Sequence, residues 1–303
     1  MSQVKSPLTN TTNVIFEDSL STELIIEAYQ KDYNIDVTDY FKEVDYVEIY
    51  KCVETGYKFY FPLHITGKSN LYEQLQQCTG YYQIRLEHKI AKTFLNVDNS
   101  VLEIGCGNGF FLENIQNLCR SCTGLEFNDG AIEDAKTKNL NVLAESIHEH
   151  AKNHFEKYDV VCSFQVLEHI VEAGDFIQAT LDCLKVGGKL IIGVPNNNPY
   201  LYKHDKYHTL NLPPHHMGLW NLESLNNLQN IFAIQVNHIL VEPLHQYEYD
   251  SYFKIQSQHP RQLVRLLSTI LLKMRPIRIR RKIQNIVGGF LQGRNILAVY
   301  TKI

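Results

Sequence analysis

From residue 100 to the C-terminus, short apolar runs alternate with stretches in which apolar residues recur every three or four positions. The runs SVLEIG (100–105), CTGLEF (122–127), NVLAES (141–146), YDVVCSF (158–164), KLIIGVP (189–195), IQVNHILVEP (234–243) and ILAVYTK (296–302) predict strands. The first five are separated by helical periods, as expected of parallel strands covered on both faces. Asn128 or Asp129 predicts a cap for the helix holding Ala131, Ile132 and Ala135, and Lys185-Val-Gly-Gly188 predicts a left-handed helix end before KLIIGVP. The pattern is that of a doubly wound α/β domain over residues 91–303, without internal repeats.

Upstream the pattern changes. Residues 14–90 mix a helical period (STELIIEAYQKDY), β-like pieces (VEIYKCVETGYKFYFP) and a Tyr-rich helical stretch (LYEQLQQCTGYYQIRLEHKIAKTFL), and predict an α+β cap on the substrate side. Residues 1–13 are polar and predict a disordered tail without the apolar centre of a secretory signal. No uncharged apolar run reaches the ~18 residues a membrane span needs, so the chain is placed in the cytoplasm. Seven scattered cysteines, several inside apolar runs, read as buried thiols rather than a disulfide framework. Cys119-Arg-Ser-Cys122 lacks a second ligand pair and is assigned no zinc.

Charge is uneven: 11 of the 29 basic residues, and none of the 33 acidic ones, follow Asp250. They fall mainly in a helical insertion at 252–292 that precedes the last strand. Leu263, Leu266, Leu267, Ile270 and Leu271 make one stripe there, and Pro276 divides it from an arginine-rich segment. Packing of this stripe on the sheet ranks first, and peripheral contact with an anionic membrane through 261–287 second. Nucleic acid ranks third, because no aromatic residue is interleaved with the arginines to stack bases.

Candidate chemistry centres on VLEIGCGNGF, 101–110. Gly105, Gly107 and Gly109 are spaced by two, whereas a dinucleotide fingerprint puts its third glycine three residues after the second. Bare backbone here suits close approach by a ribose and an amino-acid tail rather than a pyrophosphate. Glu126 ends the next strand, where doubly wound folds place an acid for ribose hydroxyls, and Phe127 beside it can cover an adenine face.

With VLEIGCGNG, GLEFNDGAI, YDVVCSFQVLEHI, LKVGGKLIIGVPN and GRNILAVYTK in this order over residues 80–303, the chain resembles class I S-adenosylmethionine-dependent methyltransferases. The resemblance implies a seven-stranded sheet with the last strand antiparallel, S-adenosyl-L-methionine as cofactor and S-adenosyl-L-homocysteine as product. It implies that Glu103, Gly105, Cys106, Gly107, Asn108 and Gly109 hold the amino-acid end. Glu126, Phe127 and Asn128 would meet the ribose and adenine, Glu145, Ser146 and Ile147 would line the adenine, and Ser163, Phe164 and Gln165 would face the methionine portion. The adenine wall departs from the family's pattern, with Glu145 then Ser146 where a short acid is usual.

Methyl transfer to a hydroxyl needs alignment and a base, for which histidine is suited by its pKa of ~6.5. The candidates are His215 and His216 in PPHHMGLWN, and His169 in VLEHI, where local hydrogen bonding competes with catalysis. A resembling subgroup, found with glycan and natural-product pathways, carries the same PPHH and a later Trp, here Trp220, beside its acceptor. The alternative keeps one histidine as a loop cap and the other packed on Trp220. His148, His150 and His154 read as solvated surface. His204 and His208 share metal-pair spacing but lack a third ligand, so no metal is assigned, and Tyr202 with Lys206 matches a dehydrogenase spacing by chance. Tyr81 and Tyr82 are the substrate-side candidates in the cap, since tyrosines suit sugars or aromatic rings. The expected activity is O-methylation of a sugar or glycan precursor. The alternatives are a small aromatic or lipid-like natural product as acceptor, or a cofactor-binding module without catalysis.

Overall fold

The computed structural model describes residues 3–76, 86–198 and 208–303. Eleven strands form two sheets among the described residues. The larger contains β4 (Ser100–Ile104), β5 (Ser121–Leu125), β6 (Val142–Leu143), β7 (Tyr158–Phe164), β8 (Leu184–Pro195), β10 (Ile234–Pro243) and β11 (Gln292–Lys302), in the order β10-β11-β8-β7-β4-β5-β6. β6, β5, β4, β7 and β8 are parallel, and β11 runs antiparallel to both β8 and β10. All five β4 residues are buried, which is why this strand reads as an apolar run apart from Ser100 and Glu103. Helices α4 (Phe110–Ile115), α5 (Asp129–Thr137), α6 (Ile147–Asn153) and α7 (Ala173–Cys183) fill the crossovers. Asn128 caps α5 by accepting from the Ala131 N–H at 2.8 Å, a contact typically worth about 1 kcal/mol.

The end of α7 differs from the expectation. The helix stops at Cys183 and β8 begins at once, with Leu184 already extended. The glycines instead serve a bulge: β7 pairs Tyr158 with Leu184 and then Val160 with Lys189, and Gly187, at φ +79°, turns the looped-out residues. Strand pairing thus claims the residues that helix propensity would have given to a cap.

The cap sheet has the order β1-β2-β3-β9, made of β1 (Val14–Ser21), β2 (Tyr46–Cys52), β3 (Lys58–Phe61) and β9 (Gly218–Leu219). β9 comes from the long excursion between β8 and β10, so the cap borrows its edge from the other half of the chain. Helices α1 (Thr22–Tyr33) and α2 (Ser69–Gln76) complete it, whereas α3 (Leu86–Ala91) packs on the large sheet, with Ala91 in a core shared with Val101 and Leu297. Residues 3–13 are packed rather than a free tail: Leu8 is buried in the core, and the Pro7 carbonyl accepts from the Gly174 N–H at 3.0 Å. Trp220 is fully buried, its ring 4.3 Å from that of Tyr57 and its indole N–H donating to the Leu167 carbonyl. It joins the cap to the large sheet.

After the short α8 (Leu222–Asn227), the insertion forms α9 (Tyr249–Gln256), α10 (Gln262–Lys273) and α11 (Ile277–Gly288). Its own small core comprises Leu244, Tyr249, Tyr252, Phe253 and Leu271. The expected packing of the leucine stripe on the sheet does not occur: Leu263, Leu266, Leu267 and Ile270 are exposed, and only Leu271 of the five is buried. No helix among the described residues is long and apolar enough to cross a membrane. The six described cysteines are free thiols, four of them buried.

Candidate active site

A cleft of about 1700 Å³ opens along the carboxyl ends of β4, β5 and β7 and beneath the cap. Its floor is the glycine turn. Gly105, Gly107 and Gly109 have φ of 69°, 53° and 75°, a region that side-chain-bearing residues rarely adopt. A Cβ on Gly105 would strike Val166, and one on Gly109 would strike Leu140, so both positions also lack the room for a larger residue. The turn is pinned by the Gly105 and Cys106 N–H groups donating to the Leu125 carbonyl, at 2.8 and 3.1 Å.

Two carboxylates face this turn. Glu126 accepts the Gly107 N–H through Oε2 at 2.8 Å, and through Oε1 the N–H groups of Phe127 and Asn128, at 2.8 and 3.0 Å. These bonds hold it upright at the end of β5. Glu103 is buried, and its Oε2 has no hydrogen-bond partner among the described residues. Burial first, then the nearby Glu126 charge, pushes its carboxyl well above the usual range. Asn108 likewise presents a buried Oδ1 without a partner among the described residues. Stranded acceptors beside bare glycine backbone fit a ligand with an ammonium group and a ribose diol. Phe127 is exposed on the rim, with an apolar face for an adenine.

Other expected contacts stand elsewhere. Glu145, Ser146 and Ile147 do not line the cleft. Glu145 instead bonds the ring of His150 at 2.7 Å, Ser146 caps α6 in a reciprocal box with Glu149, and Ile147 is core. His150 is itself buried between Glu145 and the Tyr158 hydroxyl, and only His148 of its cluster is exposed surface. A helix N-terminus needing a cap has drawn in the polar residues expected at the adenine. Phe164 and Gln165 line the cleft, while Ser163 lies buried behind it. Trp220 is excluded from the cleft by its place in the core. Tyr81, Tyr82, Tyr202, His204 and Lys206 lie outside the described residues.

The cleft's far end gathers three histidines. The rings of His215 and His216 stack at 4.5 Å, and that of His169 lies 4.6 and 4.9 Å from them. Each is oriented through Nδ1: His169 donates to the His215 carbonyl at 2.7 Å, His215 to the Leu210 carbonyl at 2.9 Å, and His216 meets Asn211 Oδ1 at 3.2 Å. This tautomer leaves His215 Nε2 as a lone-pair acceptor, buried and without a partner among the described residues. Burial lowers the His215 pKa to about 3, helped by neighbouring His169, and lowers that of His169 to about 4. One ligand nitrogen from each ring lies within 4.8 Å of the others, so the trio also has the composition of a metal site, a grouping its sequence spacing concealed.

Tyr72, one of the cap tyrosines whose chemistry suits a sugar or an aromatic ring, lines the cleft, as do Glu87 and His88, which the sequence did not single out. Tyr72 donates to the His215 carbonyl at 3.4 Å, and Glu87 accepts from the Gln165 amide at 3.2 Å. Glu87 and His88 come from a helix whose periodicity looks like ordinary surface, so no local signal marked them.

Neutral buried histidines have a measurable cost in acid. In the unfolded chain they protonate near pH ~6.5, whereas in the fold they remain neutral down to about 4 and about 3. The unfolded state binds more protons throughout that window, so their contribution makes stability fall as pH drops below ~6.5. Glu103, with a raised pKa, acts with the opposite sign. Comparison with His215→Asn therefore isolates one group. Between about pH 5.5 and 4 the variant's stability should depend on pH less steeply than the parent's, by about 1.4 kcal/mol per pH unit. Urea melts across this range check it, and parallel curves would contradict a neutral, buried His215.

A family model for a methyltransferase domain matches residues 79–233, just over half of the chain. The ubiquinone biosynthesis O-methyltransferase of Hydrogenovibrio crunogenus is 27% identical over 120 residues, 37% of this chain and 50% of that protein. The enzyme of the same name from Shewanella pealeana is 31% identical over 108 residues, 34% of this chain and 46% of that protein. The chain thus spans about half the length of the curated relatives it matches. A solved SAM-dependent methyltransferase from Archaeoglobus fulgidus aligns over 78% of this chain and all of its own, at TM-score 0.49 and 16% identity. With the matched region carrying the glycine turn, Glu126 and the paired histidines, this chain belongs to the methyltransferase domain family.

Proposed function

We propose that the protein transfers a methyl group from S-adenosyl-L-methionine to a hydroxyl of a sugar or glycan precursor, with His215 as the base. The observation that carries this reading is the buried Nε2 of His215, without a partner among the described residues, in a cleft shared with the glycine turn. The cofactor supplies an electrophilic methyl on a sulfonium. Glu103 and the glycine turn would hold its amino-acid end, and Glu126 its ribose. His215, fixed by the Leu210 carbonyl, presents one lone pair to the acceptor oxygen. An alkylated hydroxyl that still bears its proton is a far stronger acid than an imidazolium of pKa about 3, so a weak base suffices once the C–O bond forms. Lys68, Ser69, Tyr72, Glu73 and His216 supply polar groups for a polyhydroxylated acceptor in a cleft that Leu75, Ile170 and Leu210 also line.

A second reading keeps the chemistry and changes the acceptor to a small aromatic or lipid-like compound, supported by relatives named ubiquinone biosynthesis O-methyltransferases. Release of S-adenosylhomocysteine, followed over panels of nucleotide-linked sugars, oligosaccharides and catechols, separates the two. Turnover confined to catechols would remove the glycan reading, and turnover with none would leave a binding module. Treatment with EDTA is expected to leave the rate unchanged, because a histidine base needs no ion. Loss restored by a divalent cation would recast His169, His215 and His216 as ligands.

A further inference from the structure

Helices α10 and α11 wear their amphipathicity inside out. In α10, Leu263, Leu266, Leu267 and Ile270 follow the i, i+3, i+4, i+7 spacing of a single face, yet that face is 50–67% exposed. Its inward side carries Ser268 and Leu271. In α11, Ile277, Ile279 and Ile286 are exposed, and Phe290 just beyond the helix is 87% exposed. Gln284 and Gly288 are the buried residues there, with the Gln284 amide donating to Asp250 Oδ1 at 3.0 Å. A helix that served only its own fold would turn these faces the other way. The module's small core closes without the exposed stripe, so folding does not account for it.

Around this stripe stand Arg261, Arg265, Lys273, Arg275, Arg278, Arg281 and Lys282, all exposed, and no acid follows Asp250. We propose that α10, α11 and Phe290 form an interfacial docking surface for an anionic lipid bilayer. The apolar stripe sinks into the boundary between headgroups and acyl chains, and the arginines and lysines meet lipid phosphates at its margin. Twelve-residue helices are too short to span a bilayer, so the protein lies on it. A second copy fits this face poorly, because pairing it with itself would oppose two sets of cations with no acid between them. Nucleic acid would use the cations and leave the leucines and isoleucines without a role. The module's stem places Glu242, Tyr247, Arg294 and Asn295 in the cleft wall, so docking brings the cleft beside the membrane whatever the acceptor is.

The test is sedimentation of the full chain with vesicles of phosphatidylcholine, alone or with about a third phosphatidylglycerol. Binding to the anionic vesicles is expected to be at least about tenfold stronger, and to weaken as salt rises. Leu266→Gln with Ile270→Gln and Phe290→Ser should cut partitioning by about tenfold or more, with melting temperature and circular dichroism unchanged. Should that variant misfold, Arg278→Gln with Arg281→Gln and Lys282→Gln reads the same surface through loss of the anionic preference alone. Absent binding, or equal binding to both vesicle types, overturns the proposal. So does a dimer in light scattering that the apolar variant dissolves, or an affinity for single-stranded RNA that exceeds the one for anionic vesicles.

Discussion

Replacing His215 by Asn is expected to lower kcat by roughly 10²–10⁴-fold while leaving affinity for S-adenosylhomocysteine within about twofold. The magnitude is that of a general base removed from the transition state. Asparagine still offers a donor to the Leu210 carbonyl, so the loop carrying His215 keeps its anchor. The effect should appear in kcat rather than KM, since in the proposed mechanism Nε2 takes the proton only as the new bond forms. His216→Asn serves as the control: His216 stacks on His215 and meets Asn211, and its loss should cost less than His215's. Initial rates with the acceptor found by screening, beside calorimetric titration of S-adenosylhomocysteine, decide the matter. Equal losses in both variants would point to a cluster acting as one unit, as a metal site would.

The second large effect is expected at Glu126. Its carboxylate organises the glycine turn through the Gly107 N–H and stands at the edge of β5 where a ribose would rest. Glu126→Ala removes the carboxylate proposed to accept from the ribose hydroxyls and, with its bond to the Gly107 N–H, loosens the turn. Even one such bond, worth about 1.5–3 kcal/mol, makes a loss of about 100-fold in S-adenosylhomocysteine affinity the expectation. Glu126→Gln keeps one acceptor and should fall between the two. Calorimetry of both variants, with NAD as a negative control, tests this. Unchanged affinity in Glu126→Ala would move the ribose away from β5.

The large sheet was legible because its evidence is local. Strands buried on both faces must be apolar throughout, and the turns between them need glycine or a capping side chain, so order and type can be read one segment at a time. The seven strand runs all became strands of one sheet. The glycine turn and Glu126 were visible for the same reason, each lying immediately after a strand. Misreadings fell where a residue had two uses. Ser146 was expected at an adenine and caps a helix; Trp220 was expected beside an acceptor and fills a seam between the cap and the sheet; Gly187 was expected to end a helix and turns a bulge. In each case the residue type was informative and its partner was not.

The order of elements, the glycine turn and the acid that faces it were therefore determined by the sequence itself, since short-range sterics and burial of neighbouring residues dictate them. Tertiary structure alone decided that His169, His215, His216 and Tyr72, from three separate segments, share one end of a cleft. It also decided that the leucine stripe of α10 faces outward. A helical period states that apolar residues share a face; whether that face meets the core or the surroundings depends on contacts made many residues away, which periodicity does not encode.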